Sequence, residues 1–184
     1  MDEPRICIVG AGALSSSRIY PYIGAAGGLL VGVCDLDASK AETNARRFGG
    51  KPFTDMDLML DELSPDGVII CIGPDMHATL PIKVMERGIP VYTEKPPSAT
   101  AAEALAVARA SKQTGILCTT AFKKRYANAY QRARRFVDEH SDRLMDISVV
   151  YCSAEYDNTS PRSSFLSSLP YPQRRRWPVP TVPN

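Results

Sequence analysis

No stretch of the 184-residue chain approaches the roughly 20 consecutive apolar residues that a membrane-spanning helix needs, so no membrane partner is expected. Histidine is scarce, with only His77 and His140. Cysteine is more plentiful, but no two of the five stand in a Cys-x-x-Cys pair. These absences leave no zinc-type ligand spacing, and no metal is expected. Cys7, Cys34, Cys71, Cys118 and Cys152 each fall inside an apolar, strand-like run, and they read as reduced, buried small hydrophobes of a cytoplasmic protein. The opening Met1-Asp2-Glu3-Pro4 lacks basic residues and leads straight into a short apolar run, which is not the pattern of a secretory leader. An excess of one charge is lacking too: 22 Lys+Arg stand against 20 Asp+Glu. Residues 1–120 hold 11 basic and 14 acidic side chains and residues 121–184 hold 11 and 6, a gradient too mild for a nucleic-acid surface.

What is present is an alternation of short apolar runs with longer helix-like segments. Strands are expected at Arg5–Val9, Leu29–Asp35, Lys51–Thr54, Gly67–Ile72, Pro90–Thr93 and Ile116–Thr120. Helices are expected at Leu14–Ala26, Ala38–Phe48, Asp55–Leu63, Asp75–Arg87 and the alanine-rich Thr100–Thr114. Continuous apolar strands are those buried on both faces, and strand–helix repetition with right-handed crossovers gives an α/β fold with a doubly wound parallel sheet. After residue 121 the pattern changes. A basic amphipathic helix, Tyr126–Glu139, and one long strand, Leu144–Asp157, suggest an incomplete α+β second domain over residues 122–159. Residues 160–184 are rich in proline, serine and arginine and read as disordered or foreign to the fold.

Two motifs carry chemistry. Gly10-Ala11-Gly12-Ala13-Leu14-Ser15 follows the first strand and opens a helix. Gly10 permits the tight turn, and Gly12 lets backbone approach a diphosphate whose space any side chain would occupy. Ser15 is small enough to replace the usual third glycine, and the helix start offers free N–H groups to phosphate. Asp35 ends the second strand, where a carboxylate can accept the adenosine ribose hydroxyls and repel a 2′-phosphate. A nucleotide is therefore expected, NAD in preference to NADP, with S-adenosylmethionine an open alternative from this motif alone.

The second motif runs Gly67-Val68-Ile69-Ile70-Cys71-Ile72-Gly73-Pro74, then Asp75-Met76-His77, a helix, and Tyr92-Thr93-Glu94-Lys95-Pro96. This resembles the glucose–fructose oxidoreductase, inositol dehydrogenase and MocA-like family over about residues 5–157. The resemblance implies an NAD(P)-binding Rossmann fold and favours a nicotinamide nucleotide over S-adenosylmethionine. It implies hydride transfer between that cofactor and a sugar, polyol or related hydroxy compound. Lys95 matches the family lysine near the nicotinamide ribose, where burial would lower its pKa and fit it to relay a proton. Glu94 matches an acid that orients the ribose or that lysine, and Pro96 a proline that is often cis. Ile72, Pro74 and His77 match the turn passing the nicotinamide end, with His77 a candidate catalytic helper. Phe122-Lys123-Lys124-Arg125-Tyr126 matches the family's entry into its second domain more loosely.

The family's second domain supplies an Asp and a His as catalytic acid and base, and no histidine follows His140 here. The chain is thus expected to be a truncated product whose own turnover is uncertain. The alternative reading is a nucleotide-binding module without catalysis. Its partners are then the dinucleotide and a small substrate, with a homo-oligomer left open.

Overall fold

The computed structural model describes residues 3–148. Six strands form one sheet: β1 (Arg5–Val9), β2 (Leu29–Cys34), β3 (Lys51–Phe53), β4 (Gly67–Ile70), β5 (Val91–Thr93) and β6 (Cys118–Thr120). Their order is β3-β2-β1-β4-β5-β6, and every neighbouring pair is parallel. This is the Rossmann order, in which the chain winds outward one way from β1, returns to its other side and winds outward again.

The helices between the strands are α1 (Ala13–Arg18), α2 (Ala38–Phe48), α3 (Met56–Leu63), α4 (Thr79–Glu86) and α5 (Ala101–Thr114). Strand side chains alternate between the sheet's two faces. In β1, Ile8 joins Leu30, Val33, Ala41 and Ala45 on the α1/α2 face. Cys7 and Val9 join Met59, Leu60, Val68, Ile70, Val84 and Val91 on the other face, beneath α3 and α4. Ile8, Cys7, Val33 and Ile70 are wholly buried. Each such side chain contributes about 1.5–3 kcal/mol on leaving water, which explains why these strands read as unbroken apolar runs. Helix starts are set by short polar side chains: Asp37 caps α2, Asp55 caps α3, and Thr100 with Glu103 forms a reciprocal capping box on α5.

Several expected elements differ from those observed, the strand over residues 67–72 ending at Ile70 and that over 116–120 starting at Cys118. The expected helix over residues 14–26 is α1 followed by two 3-10 turns, Tyr20–Tyr22 and Gly24–Ala26. Pro21 has no N–H to donate and cannot continue the α-helix. The expected helix over residues 75–87 is a 3-10 turn, Pro74–Met76, and then α4 from Thr79. That later start puts Pro81 in the first turn, where its missing N–H has no intrahelical partner to lose. The helix expected from Tyr126 begins at Asn128, after a 3-10 turn at Lys123–Tyr126, and is α6 (Asn128–Glu139). Residues 144–148 of the expected long strand are not in a strand, and the sheet of the described residues ends with β6. The rest of that strand, Cys152, and the tail 160–184 lie outside the described residues.

Two compact units divide the chain, 1–133 and 134–184, and the whole sheet belongs to the first. In the second, Arg134 pairs with Asp138 at 2.8 Å and Phe136 stacks on His140. No helix among the described residues is long and apolar enough to cross a membrane.

Candidate functional site

The strand order reverses between β1 and β4. The segment leaving β1 passes to one face of the sheet and the segment leaving β4 to the other. Open α/β sheets bind ligands at such a switch point, beyond the carboxyl ends of the strands, and the glycine loop stands on its β1 side. Gly10 sits at φ +106°, and a Cβ there would lie 2.0 Å from the Cys71 carbonyl oxygen, so only glycine fits. Gly12 is different. Its φ of −77° suits any residue, and a Cβ would meet no atom of the described residues within 4 Å. Packing among the described residues gives no reason for a glycine there, whereas a phosphate approaching the backbone does. Gly12 is also the residue before α1, and it offers no side chain to the first helical N–H groups. Exposed Ala13 and Leu14 form that first turn, while Ser15 is buried and donates to the Gly12 carbonyl at 3.0 Å.

The loop's remaining backbone groups are turned inward. The Gly10 N–H donates to the Cys34 carbonyl at 2.7 Å. The Tyr20 hydroxyl donates to the Gly10 carbonyl at 3.2 Å. The Ala11 N–H donates to Asp35 Oδ2 at 2.7 Å, and the Asn44 amide reaches the Ala11 carbonyl at 3.4 Å. Asp35, half-buried at the end of β2, also accepts the Asp37 N–H on Oδ1 at 2.9 Å. Each carboxylate oxygen has two lone pairs, so these bonds orient the group and leave acceptor capacity for hydroxyls.

Glu94, Lys95 and Pro96 leave β5 at the same carboxyl edge. The Glu94 carboxylate accepts the Lys95 N–H at 3.0 Å, and the Lys95–Pro96 peptide bond is cis. Lys95 is exposed, not buried, because the segment projects beyond the last residue of β5. His77, 1% exposed, lies under this segment with Nδ1 2.5 Å from the Pro96 carbonyl. A carbonyl can only accept, so Nδ1 carries the proton; Nε2 is buried with no partner among the described residues. Pro74 opens the turn after β4, and half-buried Ile72 packs beside Gly10. Cys71 lies between the two segments. Burial pushes its thiol up to about 11, Glu94 adds to that, and Ser15 and Lys95 oppose it. Burial likewise lifts Cys34 to about 11 and Cys7 to about 12. Cys7 and Cys34 are buried as expected, whereas Cys71 and Cys118, near strand ends, are only partly so.

Sequence reading missed Tyr20 and Asn44. Asn44 did leave a signal: it is a polar residue at the helical spacing of Ala41, Ala45 and Phe48, on the buried face of α2. Tyr20 left none, since an aromatic in an apolar run reads as core.

The family model of an oxidoreductase family with an NAD-binding Rossmann fold matches residues 4–122. The scyllo-inositol 2-dehydrogenase (NAD(+)) of Bacillus subtilis (strain 168) is 30% identical over 138 residues, which is 74% of this chain and 40% of that protein. Inositol 2-dehydrogenase 4 of Saccharopolyspora erythraea is 30% identical over 172 residues, 91% of this chain and 49% of that protein. The solved myo-inositol 2-dehydrogenase of Lactobacillus plantarum superposes with a TM-score of 0.68 at 26% identity, covering 75% of this chain and 42% of that one. The chain thus spans less than half the length of each of these relatives. Solved chains sharing the fold hold NAD in one case and NADP in another.

Proposed function

The chain belongs to the oxidoreductase family with the NAD-binding Rossmann fold, and from that membership we propose that it binds NAD along the carboxyl edge of its sheet and serves hydride transfer to and from a sugar, polyol or related hydroxy compound. It carries the family's nicotinamide-dinucleotide-binding domain; the choice of NAD, the substrate class and the roles of single residues are our reading.

The observation that carries the reading is Gly12, a glycine whose open side meets no atom of the described residues and stands before a helix start. In our reading the diphosphate lies against the backbone of residues 10–14. Asp35 receives the adenosine ribose hydroxyls, and its charge disfavours the 2′-phosphate of NADP. Ile72 and Pro74 flank the path toward the nicotinamide. When bound, the cofactor supplies a hydride acceptor or donor at its ring. Exposed Lys95 can reach a substrate hydroxyl and hold or pass its proton, with Glu94 fixing the Lys95 backbone. His77, buried beneath, acts on that proton only through the position of Lys95.

Thermal unfolding with each nucleotide tests the reading. A ligand at one hundred times its dissociation constant adds about 2.7 kcal/mol of stability. NAD should raise the midpoint more than NADP, and Asp35→Ala should weaken NAD by the larger factor. A chain that responds to neither nucleotide contradicts the reading. Incubation with NAD and a panel of polyols, followed by NADH absorbance, tests turnover; Lys95→Met should remove any turnover while leaving NAD binding within a few-fold.

A further inference from the structure

Asn44 is 5% exposed and Tyr20 3% exposed, and each directs a donor at a carbonyl of the glycine loop. Burying such groups costs free energy unless they are paired, so a buried amide on an otherwise alanine-lined helix face calls for a reason. Asn44 donates to the Lys40 carbonyl of its own helix at 3.0 Å and points the same amide at Ala11. Tyr20 stacks on Phe48 of α2 with ring centroids 5.5 Å apart, so its hydroxyl is carried on a ring already held by packing. Asp35 completes the set from β2 by accepting the Ala11 N–H.

We propose that Tyr20, Asn44 and Asp35 form a clamp that fixes the glycine loop in its diphosphate-binding shape before any nucleotide arrives, making Tyr20 and Asn44 positioning residues for the cofactor. The proposal rests on the dinucleotide reading above. Its logic is the satisfaction of loop groups. The Gly10 N–H and carbonyl and the Ala11 N–H and carbonyl are all drawn to the protein side by Cys34, Tyr20, Asp35 and Asn44. The Gly12 carbonyl that follows accepts the Ser15 hydroxyl and the Ser16 N–H, so the N–H groups at the start of α1 are what a diphosphate would meet. A loop ordered in advance does not spend binding free energy on its own ordering. Neither Tyr20 nor Asn44 need touch the nucleotide.

The test uses Tyr20→Phe, which keeps the ring stack, and Asn44→Leu, which keeps the volume on an apolar face. Two readouts are taken on the full chain. Amide hydrogen exchange, without ligand, is read at Gly10 and Ala11, whose N–H groups are bonded to Cys34 and Asp35. Affinities are measured for NADH, ADP and adenosine, the last having no phosphate. The clamp predicts faster exchange at both amides in each variant. It also predicts NADH and ADP affinities about tenfold weaker, the size of one lost hydrogen bond, with adenosine within twofold. Unchanged exchange overturns the clamp. So does an equal loss for ADP and adenosine, which would mark general damage to the site. A wild-type chain that binds none of the three overturns the dinucleotide reading and with it the positioning role; the exchange data then decide only whether the loop is held.

Discussion

The glycine loop and the Glu94–Lys95–Pro96 segment leave the same edge of one sheet, β1 and β5 being separated only by β4, but they are held differently. In the glycine loop the protein grips backbone: both polar groups of Gly10 and of Ala11 are engaged from beneath, and the exposed surface is backbone with almost no side chain. In the second segment the grip is the Glu94 N–H on the Ile70 carbonyl at 2.9 Å, one buried imidazole on the Pro96 carbonyl and one carboxylate folded onto the Lys95 amide, and a long cationic side chain is left exposed. The difference matches two tasks. A diphosphate is recognised by a fixed array of N–H groups and tolerates no side chain in front of it. A group that moves a proton needs reach, so its backbone is fixed while its side chain stays free. Cys71 feels Ser15 on one side and Glu94 and Lys95 on the other, so it reports on both.

The comparison can be broken hardest at Gly10. Gly10→Ala sets a methyl against the Cys71 carbonyl at a backbone angle that alanine rarely adopts. Strain and overpacking together should cost about 3 kcal/mol, read as a shift of the urea midpoint, and NADH binding should be lost with them. His77→Leu should act on the other segment alone. Leaving the Pro96 carbonyl unpaired should cost about 1–3 kcal/mol and speed exchange at the Lys95 amide, while ADP affinity stays within twofold. If ADP affinity falls as well, the two segments are not independent.

A smaller effect comes from the thiols. Cys7, Cys34 and Cys71 are held above the usual 9.0 by burial, at about 12, 11 and 11. Below pH 9 the thiols are protonated in both the folded and unfolded chain and add no pH dependence. Between about 9 and 11 the unfolded chain releases protons that the folded chain keeps, so stability falls as pH rises. Tyr20, raised by burial and by Asp35, adds to the upper end of that decline. Urea midpoints taken from pH 8 to 10.5 should decrease, and Cys71→Ala should make the decrease shallower.

Much of the fold was legible because its signals are local and repeated. Short apolar runs such as Ile6–Val9 can be strands buried on both faces, and the helix Ala38–Phe48 with its cap Asp37 carries start signal and apolar stripe within twelve residues. Misplaced boundaries cluster at proline. Pro21 and Pro81 lie in runs with good helical spacing, and periodicity alone does not show where a helix must start to accommodate them. The glycine loop and Asp35 could be read because the backbone chemistry of a phosphate cradle demands particular residues at particular spacings. What could not be read is what each group touches. Sequence reading put His77 and Lys95 near the nicotinamide without showing that one is buried under the Pro96 carbonyl and the other exposed. Asn44 and Tyr20 reach the loop across 33 and 10 residues of chain, contacts created only by the fold.

The account stands most directly on Gly12, and Gly12→Val tests it. A Cβ at this position meets no atom of the described residues within 4 Å and the backbone there suits any residue, so the unfolding midpoint should stay within about 1 kcal/mol of wild type, the scale of an altered helix cap. NADH titrated into the wild-type chain should give saturable binding, and into Gly12→Val none. Equal NADH affinity in the two proteins would mean that the diphosphate does not lie against this loop.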